Sequence, residues 1–222
     1  MLEQLRQSAL FAEMSDAEID GCLKCSKSKT AVYEKDELLF CQEDLPDRLW
    51  VLLDGTVVVG SDSKDGRRSL VASFDKPGEL FGEVFLFLNR GSYDHYAQAA
   101  SAVRVLQIPR DFLCHTCGEN CTYHAKLISN MLSILARKAY LLNQRLQIMS
   151  CATLRQKIAL ALLQSAAVEE TLPSMSREDL ADYLGAARPS VSRELMRMQR
   201  DGLLKIDKKR ISLQREALQD LF

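Results

Sequence analysis

The 222-residue chain has no apolar run approaching the ~18 residues that span a bilayer, and its start, Met1-Leu2-Glu3-Gln4-Leu5-Arg6, has no basic stretch followed by an apolar one. With neither membrane span nor export signal, a cytoplasmic protein is expected. Histidine is scarce, with three residues at His95, His115 and His124. No glycine-rich phosphate loop and no pair of general acid–base carboxylates stands out, which removes the commonest signs of an enzyme. An excess of one charge is missing too. Lys plus Arg total 29 against 30 for Asp plus Glu, so the bulk sum gives no hint of a nucleic-acid partner. At 47% hydrophobic and 27% charged, the composition is that of an ordinary folded protein and excludes disorder and collagen-like structure.

Cysteine is not scarce. There are seven, an odd number, in a chain large enough to bury a core without staples. Reduced thiols, metal ligands or a redox switch are expected in place of structural disulfides. Cys22 and Cys25 form one group and Cys114, Cys117 and Cys121 another, while Cys41 and Cys151 stand apart as ordinary reduced thiols.

The pattern along the chain has three textures, which place domains at 1–120, 121–149 and 150–222. Met1 to about Cys22 reads as helical, with Ser15-Asp16-Ala17-Glu18 as a capped start. From about Thr30 to Ile108, short apolar runs are broken by turn signals. Leu49 to Leu53 and Thr56 to Val59 flank Asp54-Gly55, which predicts a hairpin because glycine tolerates the positive φ of a tight turn. Asp65-Gly66 and Pro77-Gly78 punctuate the strands that follow, and Val103 to Ile108 closes a series that reads as an antiparallel roll.

From about Cys121 to Met149 the sequence predicts one long helix without Gly or Pro. Leu127, Met131, Ile134, Leu135, Leu141, Leu142, Leu146 and Met149 keep to a stripe. About thirty residues at ~1.5 Å per residue make ~45 Å, more than a roll of this size can cover, so the helix is expected to pair with a copy of itself. Packing along its own domain is the alternative.

A helix from Thr153 to Ala167 and a polar break at 169–174 lead to the most informative stretch. Ser176-Arg177-Glu178-Asp179 starts a short helix, Gly185 supplies a turn, and a second helix runs from about Arg188 to Arg200. Its Val191, Leu195 and Met198 recur at helical spacing and face inward. Pro189 is tolerated only in a first turn and so marks where the helix begins. Leu203 to Ile206 and Arg210 to Leu213 read as two strands of a wing around Asp207-Lys208-Lys209. Helix, turn, helix and wing form a DNA-reading module. Charge agrees: from Arg188 to Arg215 nine basic residues face three acidic ones, a net of +6, whereas residues 1–149 carry 17 basic and 20 acidic, a net of −3. A solvated charged helix would account for the arginines, but not for Ser190 and Ser192 interleaved with them at the mouth of the helix.

Roll, long helix and winged helix-turn-helix in this order resemble the CRP/FNR superfamily of bacterial transcription regulators over nearly the whole chain. Two motifs carry the resemblance: Phe81-Gly82-Glu83, which matches the family's pocket Gly-Glu, and Gly185-Ala186-Ala187-Arg188-Pro189-Ser190-Val191-Ser192-Arg193-Glu194-Leu195, which looks like its recognition helix. The resemblance implies an α+β fold: an antiparallel, jelly-roll-like sensor of cyclic-nucleotide-binding type, a long dimerisation helix and a winged helix-turn-helix domain. It implies a homodimer acting on double-stranded DNA at a pseudo-palindromic operator, with RNA polymerase as a further partner and no membrane. Arg188 is then placed to contact a guanine, Ser192 and Arg193 to reach base edges or phosphates, and Ser190, Lys208 and Lys209 to touch the backbone. Many relatives carry Glu where this chain has Pro189, which cannot accept from cytosine.

The resemblance also locates the sensor. Glu83 matches the residue that holds the ribose in cyclic-nucleotide-binding relatives, but their phosphate-holding Arg-Ser pair falls on Tyr93 and Asp94 here. A carboxylate repels a phosphate, and Gly91 to Tyr96 contains no replacement cation, so cyclic AMP is not the expected effector. Cys22, Cys25, Cys114, Cys117 and Cys121 are candidate ligands of an iron–sulfur cluster or Zn, or members of a thiol–disulfide switch, or plain thiols. The oxygen-sensing branch of the family also carries an N-terminal cysteine group, at a different spacing. Haem on His95, His115 or His124 is disfavoured, since a lone histidine more often faces solvent or is simply hydrogen-bonded. A small organic effector in the roll interior is a further option.

Two other classes compete with a DNA-binding regulator. A cysteine-based redox enzyme using Cys22 and Cys25 would need that pair near the first turn of a helix after a strand, and here it ends a helix ahead of an antiparallel roll. A cyclic-nucleotide module without DNA binding lacks its arginine and has no use for a basic winged helix.

Overall fold

The computed structural model describes residues 1–62, 68–88, 91–114, 122–166, 171–173, 176–207 and 210–222. It divides into two compact units, Met1–Leu135 and Ala136–Phe222. None of its helices among the described residues is long and apolar enough to cross a membrane.

The first unit opens with α1 (Leu2–Arg6), a 3-10 turn (Ala9–Phe11) and α2 (Asp16–Ser26). The segment expected to be helical comes in three pieces, because Ser8 and Ser15 each cap a new start. Ser15 and Glu18 form the capping box that the sequence announces.

Eight strands follow: β1 (Lys29–Tyr33), β2 (Leu38–Phe40), β3 (Arg48–Asp54), β4 (Val57–Asp62), β5 (Arg68–Phe74) and β6 (Leu80–Phe81), then, after α3 (Glu83–Phe87), β7 (Tyr96–Ala99) and β8 (Val103–Pro109). They make two antiparallel four-stranded sheets, ordered β1-β8-β3-β6 and β2-β7-β4-β5. The expected hairpin at Asp54-Gly55 is therefore a corner: β3 and β4 do not pair but belong to opposite sheets. Gly55 is at φ +90°, as a tight turn requires, but its place is set by the Ala102 carbonyl, against which a Cβ would clash. The pairing partner of β4 along the chain is β5, across a segment that contains Asp65-Gly66 and lies outside the described residues.

Alternation along β3 explains its unbroken apolar run. Trp50 and Leu52 point into the roll with Phe40, Val57, Phe81, Tyr93 and Ala97. Leu49, Val51 and Leu53 point the other way, into a core shared with Leu5, Leu10, Phe11, Ile19, Leu127 and Met131. Both faces are covered, so no polar residue interrupts the strand.

After α4 (Arg110–Cys114), α5 (Thr122–Ser150) runs for 29 residues. Its first half belongs to the first unit, where Asn130 Nδ2 donates to the carbonyls of Leu10 and Ala12 at 3.0 and 2.9 Å, and Lys126 Nζ meets Glu18 at 2.7 Å. Those contacts hold the Glu18 carboxyl down to about 2, with the Lys126 bond first and the Ser15 capping bonds after it. The second half belongs to the second unit, where Ile148 is buried. Along its length Leu132, Tyr140, Leu141, Leu142, Leu146 and Met149 are exposed.

The second unit continues with α6 (Leu154–Ser165), β9 (Thr171–Pro173), α7 (Arg177–Leu184), α8 (Arg188–Arg200), β10 (Leu204–Asp207), β11 (Arg210–Leu213) and α9 (Arg215–Gln219). The sheet order is β10-β11-β9. The polar break read at 169–174 thus contains a third strand of the wing, which pairs Ile211 with Leu172.

Candidate nucleic-acid interface and effector cavity

In α7, Ser176 Oγ accepts from the Asp179 N–H at 3.0 Å, and the helix ends at Gly185, whose φ of +59° lets the Ala186 N–H bond back to Ala181. Leu180, Ala181 and Leu184 are buried against Val191, Leu195 and Met198 of α8. Three inward positions four, then three residues apart leave the opposite face of α8 outward: Arg188, Pro189, Arg193, Met196 and Arg197 are exposed, and Ser190 and Ser192 half-buried. Arg193 folds back along its own helix, its Nε donating to the Pro189 carbonyl at 3.3 Å. Lys208 and Lys209 lie outside the described residues, between Asp207 and Arg210, which are paired across the β10–β11 ladder.

The sequence reading missed the part that holds α8 in place. Arg155 of α6 donates through Nε to Glu194 at 2.6 Å and through Nη1 reaches Asp201 at 2.8 Å, and these bonds, Glu194 first, raise its pKa further. Glu194 also meets Arg197 at 3.5 Å. Glu194 sits inside the recognised motif, but its partner lies 39 positions away, and no local pattern points to it.

In the first unit the predicted pocket residues part company. Glu83 opens α3 and is buried; Gly82 before it is at φ +79°, where a Cβ would press on Trp50 at 3.0 Å. Asp94 is exposed, and its backbone carbonyl accepts from Gln42 Nε2 at 3.1 Å. Tyr93 is buried. Its ring stacks on Phe40 at 3.9 Å between centroids, and its hydroxyl accepts from Trp50 Nε1 at 3.4 Å. Of the three, Tyr93 alone lines the roll cavity of about 330 Å³, together with Tyr33, Leu39, Phe40, Asp44, Leu45, Asp47, Arg48 and Trp50. The cavity does contain a cation, Arg48, brought from a strand 45 positions before Tyr93. It is already engaged: Nε and Nη2 donate to the two Asp47 oxygens at 2.6 Å each, and Nη1 to Gln107 at 3.0 Å. The Asp47 bond raises the Arg48 pKa, and the same bond holds the Asp47 carboxyl below its usual range.

Cys22 is 1% exposed in the core with Leu5, Leu10, Ile19 and Leu113. Cys25 is half-buried and Cys114 exposed; Cys117 and Cys121 lie outside the described residues. No three of the described His, Cys, Asp and Glu residues gather closely enough to hold a metal ion. A thiol buried in an apolar core behaves as a small hydrophobe, which describes Cys22 and not Cys25 or Cys114. His124 is buried with its ring stacked on Phe112 at 4.4 Å, His95 lies against Phe85, and His115 is outside the described residues.

Comparison with known proteins matches residues 30–120 to the cyclic nucleotide-binding domain and 156–221 to the Crp-like helix-turn-helix domain. The chain is 26% identical over 216 residues to the cyclic AMP receptor protein of Thermus thermophilus, covering 96% of each chain. It is 28% identical over 198 residues to the nitrogen fixation regulation protein FixK of Rhizobium meliloti, covering 86% of each. Among solved structures, the catabolite activator protein of Thermus thermophilus superposes with a TM-score of 0.54 at 24% identity, over 96% of this chain and 97% of that one.

Proposed function

We propose the following function for this chain, which belongs to the CRP/FNR superfamily of DNA-binding transcription regulators: it acts as a homodimer on a pseudo-palindromic operator, recruits or blocks RNA polymerase there, and is switched by a small effector in the roll other than cyclic AMP. The outward face of α8 carries this reading. Val191, Leu195 and Met198 are used up by the core, which leaves Arg188 at the helix mouth free to enter a major groove. Arg188 contacts a guanine through O6 and N7. Ser192 and Arg193 reach base edges or phosphates, and Ser190, Lys208 and Lys209 the sugar–phosphate backbone. Pro189 offers no acceptor to cytosine, so the half-site differs from that of relatives with Glu there.

The exposed Leu141, Leu142 and Leu146 of α5 support the dimer, since apolar side chains in such a row are seldom left in water. Two-fold symmetry then sets half-sites ~34 Å apart, one turn of the duplex. Selection of binding sites from random duplexes by wild type and Arg188→Ala tests the assignment. Relaxed preference at one base pair per half-site is expected; unchanged affinity and preference would overturn it. Sedimentation of Leu142→Glu tests the dimer, with a shift to monomer expected.

Against cyclic AMP stand Tyr93 and Asp94 at the phosphate-holding positions and an Arg48 already bound by Asp47. Calorimetric binding at micromolar concentration would reverse that reading. A ligand is favoured over a thiolate-bound metal by the burial of Cys22 in the core. Anaerobic purification with an absorption spectrum and iron and zinc analysis is expected to find less than one metal per chain. A stoichiometric metal would move the signal to the cysteines.

A further inference from the structure

Four aromatic rings from separate elements converge on the roll cavity: Tyr33 of β1, Phe40 of β2, Trp50 of β3 and Tyr93 ahead of β7. Tyr33 and Trp50 meet edge to face at 6.3 Å, Phe40 and Trp50 are tilted at 5.8 Å, and Phe40 stacks on Tyr93. Ring faces of this kind take apolar molecules and cations alike, so the charges of the lining decide which. There are two carboxylates, Asp44 and Asp47, against one guanidinium, Arg48. Asp47 is spent on Arg48 through two parallel bonds. Asp44 receives one backbone N–H, from Cys41 at 2.7 Å, and no cation among the described residues pairs with it. The Tyr93 phenol is pushed up by burial first, against the Trp50 hydrogen bond; the charges of Asp47 and Asp44 push the same way as burial and that of Arg48 the other. Arg48 already rests over the Trp50 ring, 5.8 Å from its centroid, so that face tolerates a positive charge.

We propose that this cavity binds a small organic cation, an amine or quaternary ammonium on a compact apolar body, held against Tyr33, Phe40, Trp50 and Tyr93 and neutralised by Asp44. The proposal rests on the reading that the roll is switched by a ligand other than a cyclic nucleotide, and it names the chemistry of that ligand. A carboxylate or phosphate ligand would face Asp44 with the one nearby cation already occupied. A neutral ligand would leave the Asp44 charge without a counterpart. At about 330 Å³ the cavity falls at the lower end of the ~300–1,000 Å³ of small-molecule sites, which favours a compact ligand.

Trp50 is the chain's single tryptophan, so its emission reports on this cavity alone. Three probes of nearly one shape separate charge from shape: choline, its neutral carbon counterpart 3,3-dimethylbutan-1-ol, and the anion 3,3-dimethylbutanoate. Choline is expected to change Trp50 emission saturably, the neutral alcohol to bind about tenfold more weakly, and the anion not to bind. Asp44→Asn is expected to weaken choline about tenfold, to leave the alcohol within about twofold, and to unfold at the wild-type temperature, because the side chain is exposed. Equal binding of alcohol and choline, tighter binding of the anion, or no saturable response to choline or to the bulkier benzyltrimethylammonium overturns the cation proposal. Cyclic AMP in the same titration keeps the two readings apart: a saturable response to it defeats the underlying reading, and silence leaves that reading standing whatever the cations do.

Discussion

The recognition helix and the roll cavity solve the problem of presenting a cation in opposite ways. On α8 the arginines sit on the side of one helix whose other side is buried, and Arg188 is exposed. In the roll, Arg48 is half-buried and bound by Asp47 and Gln107. The first geometry leaves its charge open to an outside partner, as the proposed reading of DNA requires. The second withholds its charge from anions while presenting aromatic faces. One site is made by the periodicity of thirteen consecutive residues, the other by four segments spread over sixty positions.

Substitutions should separate the two sites. Trp50→Ala is expected to have the largest effect on stability, ~3–5 kcal/mol, because it removes a buried ring with Phe40, Phe81 and Tyr33 around it. Calorimetry checks this, and a loss below ~1 kcal/mol would mean the cavity wall is looser than the packing implies. Arg188→Ala should do the reverse, costing ~1–3 kcal/mol, or about 5- to 150-fold, in specific DNA binding while thermal unfolding stays within ~0.5 kcal/mol of wild type. Arg155→Ala lies between, because it leaves Glu194, whose side chain is 14% exposed, to its longer contact with Arg197 at 3.5 Å. A loss of about 1–2 kcal/mol in stability is expected, with weaker DNA binding and unchanged base preference. A changed preference would mean that Arg155 or Glu194 touches the bases.

The smallest effect concerns acid. The Glu18 carboxyl, normally near 4.5, is held down to about 2 by Lys126 and Ser15. A depressed carboxylate stabilises the fold above its unfolded pKa and loses that contribution as pH falls toward the folded value. The link between α2 and α5 should therefore weaken between about pH 4.5 and pH 2, and Glu18→Gln should unfold with a shallower pH dependence across that window than wild type. Identical slopes would show that the pair is too well solvated to matter.

Legibility followed the same divide. Ser176, Gly185, Pro189 and the Val191-Leu195-Met198 spacing are local signals, and each stands where its chemistry requires. The sheets were legible as a series of strands but not in their pairing. Asp54-Gly55 carries the sequence of a hairpin, yet it turns a corner between sheets, because β3 finds its partners in β8 and β6, from distant sequence. Arg155 escaped notice because it acts on a residue 39 positions away, and Arg48 because the fold, not its neighbour Asp47, brings it to the cavity beside Tyr93. β9 was hidden by polar flanks, since an edge strand of three residues needs little apolar content.

The wet apolar row on α5 has a consequence for dosage. Leu141, Leu142 and Leu146 are in water in a single copy, and if the proposed dimer covers them, the folded state is tied to the law of mass action. Each tenfold dilution then removes stability, so the melting temperature becomes a function of how much protein is present. On the proposed dimer, the regulator would respond to its own abundance, and below a threshold copy number it would lose grip on DNA without any change in signal.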